Sequence, residues 1–172
     1  PNILTAYGAG EDCDIHFLIK QYVPGRTLEE HCVEQGTIEE KQALKYAIPI
    51  AEALRYAWDE GKIIHRNVKP ENILIADSGK PMLMDLGIAK SMEPDSMNVT
   101  SAGFTVGTPE YMSPEQVRAS SNLDFRSDMY CLGICLYRMV TGEVPFEDKS
   151  AMAIMQKQLK EVAIPAQFKN PD

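Results

Sequence analysis

Residues Ile63–Ile75 read Ile-Ile-His-Arg-Asn-Val-Lys-Pro-Glu-Asn-Ile-Leu-Ile, and this stretch decides how the chain is interpreted. Apolar residues at both ends enclose a polar loop with imidazole, guanidinium, amide, ammonium and carboxylate groups. Asn67 lies in the middle of that loop, and its amide has neither charge nor basicity at neutral pH. The order of these groups, more than any one of them, indicates what the loop does.

The stretch resembles the catalytic loop of protein kinases, in which His-Arg-Asp is followed by an Asn that binds metal. In that family the Asp receives the proton of the substrate hydroxyl. Here Asn67 stands at the Asp position and Asn72 at the metal-binding position. The chain therefore resembles a kinase whose catalytic base has been replaced.

Three further motifs follow in the order that the kinase family shows. Met84–Gly87 resembles the Asp-Phe-Gly element, with Leu in place of Phe. Gly107–Glu115 resembles the end of the activation segment, with Ser113 where Ala is usual, and Arg126–Gly133 resembles the start of the central helix. Together the motifs cover nearly the whole chain, and their residue choice is similar to that of bacterial receptor-type Ser/Thr kinases.

The resemblance implies an α+β fold, made mainly of the helical large lobe of a kinase with a remnant of the small lobe. We expect residues 1–23 to form that remnant, one hairpin and the hinge, and residues 24–172 to form the large lobe without its last helices. The sequence contains no Gly-rich phosphate loop. We therefore expect a kinase domain that is cut at both ends.

Local patterns predict the elements of this fold. A strand is expected over Ile15–Val23, with an N-terminal strand before it and a turn over residues 8–14. Capping boxes at Thr27–Glu30 and Thr37–Glu40 predict two helix starts, and Ser150 predicts a third. The spacing of apolar residues predicts the buried faces of the last two helices: Leu44, Ala47, Ile48, Ala51, Leu54 and Trp58 in one, and Met152, Ile154, Met155 and Leu159 in the other.

The resemblance also implies roles in phosphate transfer for five positions. Asn67 holds the base position, and Lys69 matches the Lys that Ser/Thr kinases place beside the transferred phosphate. Thr108 matches the Thr that bonds the catalytic Asp and that Lys. Asn72 and Asp85 match the two metal ligands, and their amide and carboxylate oxygens suit Mg²⁺.

For the nucleotide, the resemblance implies ATP, with its adenine at the hinge. Backbone groups of Gln21 and Val23 would meet the adenine, Leu74 would form the floor of its slot, and Glu71 would lie near the ribose. Because the small lobe is incomplete, we expect binding of ATP and Mg²⁺ to be weakened or lost.

Lys20 falls at the gatekeeper position of the resembled family, where an apolar residue or Thr is usual. A buried ammonium group is costly unless it is paired. We therefore expect Lys20 either to pair with Asp85 or to be exposed to solvent.

Two residues of the His-Arg-Asn sequence are expected to support the loop. The resemblance implies that His65 is packed in the core, where it holds the loop in place. Arg66 lies beside the base position, and an Arg there marks kinases whose activation loop is ordered by a phosphate. The candidate phosphorylation sites are Thr100, Ser101 and Thr105.

Composition limits the classes of partner. The net charge of −8 argues against a nucleic-acid surface, because such a surface needs a concentrated basic patch. No apolar run reaches the ~20 residues of a membrane span, so we expect a cytoplasmic location, compatible with a membrane anchor outside these residues. The four cysteines follow no metal-binding spacing, and buried free thiols are the expected state of the pair Cys131 and Cys135.

The leading hypothesis is a Ser/Thr protein kinase that transfers the γ-phosphate of ATP to protein hydroxyls and is inactive in this form because of Asn67 and the incomplete small lobe. One alternative is a natural pseudokinase that binds nucleotide or partner proteins as a scaffold, and another is an interaction module built from the large lobe alone. An engineered and a natural loss of the base give the same sequence, so these alternatives stay open. The partners would be a protein substrate or a signalling protein, with possible self-association through the exposed small-lobe edge.

Overall fold

The computed structural model describes residues 1–13, 15–86 and 108–171. These residues form five strands and five α-helices. The strands are β1 (Ala6–Asp12), β2 (Ile15–Lys20), β3 (Gly25–Thr27), β4 (Ile73–Ala76) and β5 (Pro81–Leu83). The helices are α1 (Leu28–Gln35), α2 (Glu40–Gly61), α3 (Pro114–Val117), α4 (Phe125–Thr141) and α5 (Ala151–Lys160). The predicted α+β class, with mainly helices and a few short strands, is confirmed.

Strands β1 and β2 form an antiparallel hairpin in which Asp12 lies opposite Ile15. The expected turn over residues 8–14 is therefore wrong, because Gly8 already pairs with Ile19 within the sheet. The second strand also ends earlier than expected, at Lys20 instead of Val23. The pairing of backbone groups extends the first strand through a Gly-rich segment that its composition alone assigns to a turn.

Strands β3, β4 and β5 form a second, antiparallel sheet. Gly25 begins β3 where the backbones approach closely: a Cβ atom there would lie 2.3 Å from the carbonyl oxygen of Ile75. The start of the chain runs beside β5, where the Leu4 N–H donates to the Leu83 carbonyl oxygen at 2.8 Å. The expected N-terminal strand is thus a single parallel bridge between Ile3 and Leu83.

Helix α1 begins as predicted. The Thr27 hydroxyl accepts a hydrogen bond from the Glu30 N–H at 3.2 Å, and the Glu30 carboxylate accepts one from the Thr27 N–H at 2.6 Å. Gly36 ends the helix, and its N–H donates to the Cys32 carbonyl oxygen. This reciprocal pair is the capping box that the sequence indicates.

The capping box predicted at Thr37 is wrong, because α2 begins at Glu40 with Glu39 as N-cap and no side-chain cap. The Ile38 N–H instead donates to the Met139 carbonyl oxygen of α4 at 2.7 Å. The backbone before α2 is thus tied to another helix, and this tertiary contact replaces the local cap.

Helix α2 is buried along a face different from the predicted one. Leu44 and Ile48 are exposed, whereas Ala47 and Leu54 are buried as expected. The full buried set is Ala43, Tyr46, Ala47, Ile50, Ala53, Leu54 and Ala57. Small residues predominate in this set, as expected where α2 packs against α4.

Helix α4 lies at the centre of the core. Cys131 and Cys135 are buried free thiols, as predicted, and Cys32 of α1 is a third. Burial raises the pKa of Cys32 to about 11 and that of Cys131 to about 12. At neutral pH these groups are therefore uncharged, and they serve as small apolar side chains.

Helix α5 begins at Ser150 as predicted, since its hydroxyl accepts a hydrogen bond from the Ala153 N–H at 3.1 Å. Ile154 and Met155 are buried, but Met152 is exposed, so that part of the predicted face is wrong.

Within the described part of the chain, every helix is too short or too polar to cross a bilayer.

Candidate active site

The loop between α2 and β4 is held from two sides. His65 is buried, and its Nε2 lies 2.7 Å from the Met84 carbonyl oxygen at the end of β5. The carboxylate of Asp128, in the first turn of α4, accepts from the His65 N–H at 2.7 Å and from the Arg66 N–H at 2.8 Å. The expectation that His65 is packed in the core agrees with this geometry.

The backbone turns sharply at this point, because Arg66 has a φ of 65°. An L-residue rarely adopts this conformation without support. Two charge-assisted hydrogen bonds to Asp128 supply that support. Burial raises the pKa of Asp128, and the two N–H groups that face its carboxylate oppose the rise.

Asn67 follows the turn with its side chain exposed. Its N–H donates to the His65 Nδ1 at 3.2 Å, and its carbonyl oxygen accepts from the Asn72 side-chain amide at 2.8 Å. The Met84 N–H in turn donates to the Asn72 carbonyl oxygen at 2.9 Å. These bonds bring the loop and the residues after β5 together at one end of the second sheet.

Lys69 is oriented by two neighbours. Its ammonium group donates to the Thr108 hydroxyl at 2.8 Å and lies 3.8 Å from a carboxylate oxygen of Glu71. Lys69 and Thr108 are far apart in sequence, so the structure brings together two of the predicted site residues. Their contact joins the loop to the segment that leads into α3.

Asp85 directly follows Met84 and has a φ of 59°. Its Oδ1 accepts a hydrogen bond from the Lys20 ammonium group at 2.7 Å. Of the two alternatives expected for Lys20, the ion pair with Asp85 is present, and the Lys20 side chain is also partly exposed to solvent. Lys20 ends β2, so this contact links the hairpin to the loop that follows the second sheet.

Asn72 and Asp85 meet the chemical requirement for Mg²⁺, since each offers a hard oxygen ligand. The Asn72 amide nitrogen is bonded to the Asn67 carbonyl oxygen, which leaves the amide oxygen as the group that can face a cation. One oxygen of Asp85 is bonded to Lys20. In the described ranges no three His, Cys, Asp or Glu side chains cluster as metal ligands.

The residues expected at the nucleotide lie in the connection from β2 to β3, in the short 3-10 turn Pro70–Asn72, and in β4. Gln21 and Val23 are half-buried, and the Gln21 N–H donates to the Thr5 carbonyl oxygen at 2.8 Å. Leu74 is half-buried on the face of β4 opposite to the buried Ile73. Its position is suitable for the floor of an apolar slot.

Comparison with known proteins assigns the family. The model of the protein kinase domain matches residues 1–172, the whole chain. The chain belongs to the protein kinase family. It is 41% identical over 165 residues to a probable serine/threonine-protein kinase of Clostridium perfringens, an alignment that covers 96% of this chain and 24% of that protein.

Other relatives are also bacterial serine/threonine kinases. The kinase PrkC of Bacillus subtilis is 37% identical over 171 residues, 99% of this chain and 26% of that protein. The kinase PknB of Mycobacterium leprae is 37% identical over 169 residues, 96% of this chain and 27% of that protein. The kinase chain thus spans about a quarter of the length of these curated relatives.

Gln116 is a residue of the kinase site that the sequence analysis did not single out. Its buried side chain donates to the Arg66 carbonyl oxygen at 2.6 Å and accepts from the Ser113 N–H at 2.9 Å. The sequence Ser-Pro-Glu-Gln from Ser113 is a capping box, and this signal could have identified Gln116. The contact connects the start of α3 to the loop that contains Asn67.

Gln158 of α5 holds the segment that follows Thr108, and no motif pointed to it. Its buried amide donates to the Glu110 carbonyl oxygen at 2.8 Å, and its oxygen accepts from the Tyr130 hydroxyl at 2.5 Å. An isolated Gln in an amphipathic helix gives no sequence signal that it bonds the backbone of another segment. The candidate phosphorylation sites Thr100, Ser101 and Thr105 lie outside the described residues.

Proposed function

We propose that this chain is part of a Ser/Thr protein kinase domain, which transfers the γ-phosphate of ATP to Ser and Thr hydroxyls of proteins. We also propose that Asn67 makes the chain inactive in this form. The family assignment supports the reaction class. The observation that carries the proposal is the 2.8 Å bond between Lys69 and Thr108, which orients an ammonium group on the same loop as Asn67 and Asn72. Such a cation stabilises charge on a transferring phosphoryl group.

In this proposal each site residue has a separate task. Lys69 neutralises phosphate charge, Thr108 orients Lys69, and Asn67 faces the substrate hydroxyl without being able to accept its proton. Asn72 and Asp85 would hold Mg²⁺, which supplies positive charge between the phosphate groups when it is bound. A protein substrate or a signalling protein would be the partner.

The nucleotide would lie between the two sheets, with residues 1–23 as the small-lobe remnant and hinge and residues 24–172 as the large lobe. Gln21 and Val23 would present backbone groups to adenine, and Leu74 would contact its ring. One oxygen of Glu71 is buried and finds no hydrogen-bond partner among the described residues. A ribose hydroxyl is a donor that would satisfy it.

Binding of ATP tests the nucleotide site. We expect weak binding by the unchanged chain and at least about tenfold weaker binding after Leu74→Asp, because an unpaired charge under the adenine ring is costly. Isothermal titration with ATP and Mg²⁺ measures both values. Leu44→Asp, at an exposed position of α2, is the matched control and should bind as the unchanged chain does. Equal affinity of the two variants, both folded by circular dichroism, would contradict the proposed site.

A second candidate function is that of a pseudokinase, a scaffold that binds nucleotide or partner proteins. Two observations favour it: Asn67 stands at the base position, and Asp85 is paired with Lys20. A scaffold of this kind should bind its ligands equally well before and after Asn67→Asp. A kinase that has lost its base should instead gain phosphate transfer when Asn67→Asp is made in a longer protein that contains the phosphate loop.

The hairpin supports a proposal about self-association. Ile15, Phe17 and Ile19 alternate along β2 and are 67%, 44% and 52% exposed, so they form an apolar face. Among the described residues, β1 and β2 pair only with each other, and unpaired strand edges recruit other chains. We expect the 172-residue chain to associate through this face as its concentration rises.

Light scattering across a concentration series measures this association. Ile19→Lys should shift the protein towards the monomer, because it places a charge on the apolar face. Val33→Lys changes an apolar residue of α1 that is more exposed than Ile19, and it should leave the association unchanged. A monomer at every concentration would refute the proposal.

A further inference from the structure

Lys20 is placed by the strand that ends with it. Alternation along β2 puts Ile19 on one face of the hairpin and Leu18 and Lys20 on the other. From that face the Lys20 ammonium group reaches the Asp85 Oδ1 at 2.7 Å. The Lys20 side chain is 36% exposed and that of Asp85 is 26% exposed. The contact is thus a partly shielded ion pair on a candidate metal ligand.

We infer that the Lys20 ammonium group competes with a divalent cation for the Asp85 carboxylate, and that Lys20 makes nucleotide binding at this site less dependent on metal. The second part rests on the proposed nucleotide site. The first part concerns only the metal and these two side chains.

The competition follows from charge and geometry. Asp85 has two carboxylate oxygens, and Lys20 already occupies one of them. A divalent cation on the carboxylate would lie within a few ångströms of the ammonium group and would be repelled by it. Because the pair is partly exposed, water screens this repulsion. The expected penalty is therefore a few-fold to about tenfold in metal affinity.

The other ammonium group of the site is committed elsewhere. Lys69 donates to the Thr108 hydroxyl and lies near Glu71. In the part of the chain that the structure describes, the ion pair recorded for Asp85 is the one with Lys20. Substitution of Lys20 should thus change the charge at Asp85 and leave the contacts of Lys69 in place.

The same ammonium group can serve the nucleotide. A flexible lysine is a point charge that can follow a phosphate oxygen. If Lys20 turns from Asp85 to the phosphates, it supplies a positive charge that divalent metal otherwise supplies. The affinity for the nucleotide measured with Mg²⁺ should then differ less than about threefold from the affinity measured with a chelator, because the lysine charge replaces part of the contribution of the ion.

Binding of Mn²⁺ alone, followed by electron paramagnetic resonance, tests the competition. Lys20→Met should bind Mn²⁺ about tenfold more tightly than the unchanged chain, whereas Lys20→Arg should bind it as weakly as the unchanged chain. Lys169→Met is the matched control, because it also removes one lysine from an ion pair, that with Glu143 at 2.9 Å. It should leave Mn²⁺ affinity unchanged. Equal Mn²⁺ affinity in Lys20→Met and the unchanged chain, or no binding by either, overturns the inference.

Titration with ATP in the presence of Mg²⁺ or a chelator tests the second part. In Lys20→Met, affinity for ATP should fall in the chelator and should depend on Mg²⁺ by about tenfold. A metal dependence that is the same in both proteins overturns this part of the inference. If neither protein binds ATP under any condition, the proposed nucleotide site fails and with it this second part, while the Mn²⁺ result still decides the competition at Asp85.

Discussion

Phosphate transfer is expected to be about 10²–10⁴-fold slower with Asn67 than with aspartate at the same position, because this is the usual contribution of a general base. The amide of Asn67 cannot accept the proton of a substrate hydroxyl. Nothing else in the loop replaces it, since His65 is buried and its Nε2 is engaged by the Met84 carbonyl oxygen. The loop geometry itself depends on backbone contacts that Asn67→Asp leaves intact.

Transfer of radiolabelled phosphate from ATP to a generic basic protein measures the effect. In the 172-residue chain Asn67→Asp should restore little, because the sequence contains no G-x-G-x-x-G phosphate loop. In a longer protein that contains that loop, the same change should restore most of the rate. Asn122→Asp adds the same charge at an exposed position before α4 and should have no effect. An unchanged rate after Asn67→Asp in the longer protein would show that Asn67 is not at the base position.

Removal of the Asp128 carboxylate is expected to lower the free energy of unfolding by about 2–5 kcal/mol. Asp128→Ala leaves the N–H groups of His65 and Arg66 without their acceptor in a buried place. Each unsatisfied buried donor is costly, and Arg66 would lose the bonds that support its unusual backbone conformation. Urea unfolding followed by circular dichroism measures the loss.

Asp124 offers a control in the same helix. It is the N-cap of α4, and its half-buried carboxylate accepts from the Arg126 N–H at 2.9 Å. Asp124→Ala should therefore cost much less than Asp128→Ala, since water can replace the lost bond. Similar losses in the two variants would mean that the contact of Asp128 with the loop contributes little to stability.

Local signals in the sequence were reliable where no other part of the chain competes with them. The prediction of a capping box at Thr27 is confirmed, because both of its hydrogen bonds lie within four residues. The similar pattern at Thr37 fails because the Ile38 N–H is bonded to Met139, which is distant in sequence. The pattern alone does not distinguish the two cases, since the competing partner belongs to another helix.

The buried face of α2 is a second case in which a contact with another helix overrides a local pattern. A shift of one residue turns a helix face by about 100°, and the face that packs is chosen by the neighbouring helix. Leu44 and Ile48 were expected inside because they are large and apolar, yet the small side chains of Ala43 and Ala53 are buried instead. The sequence indicates that the helix is amphipathic, and α4 decides which side it buries.

For the site, the family motifs were sufficient to place Lys69 near Thr108, whereas they left open whether Lys20 pairs with Asp85 or is exposed. The roles of these residues remain proposals. The capping box from Ser113 marks Gln116 as a local cap, but its contact with the Arg66 carbonyl group could not be predicted, because every residue has such a backbone acceptor. The segment from 87 to 107, which includes the three candidate phosphorylation sites, lies outside the described residues.

The contact of Asp128 with the loop also has a consequence for the order of folding. The carboxylate and the two N–H groups that it binds are 62 and 63 residues apart along the chain. Contacts of such long range form slowly, because the entropy of closing the intervening chain is lost before the bond is gained. The helices α1 and α2 can form from neighbouring residues, but the turn at Arg66 must wait until α4 has docked. We therefore expect the site geometry to be acquired late in folding, after the local contacts of α1 and α2 have formed.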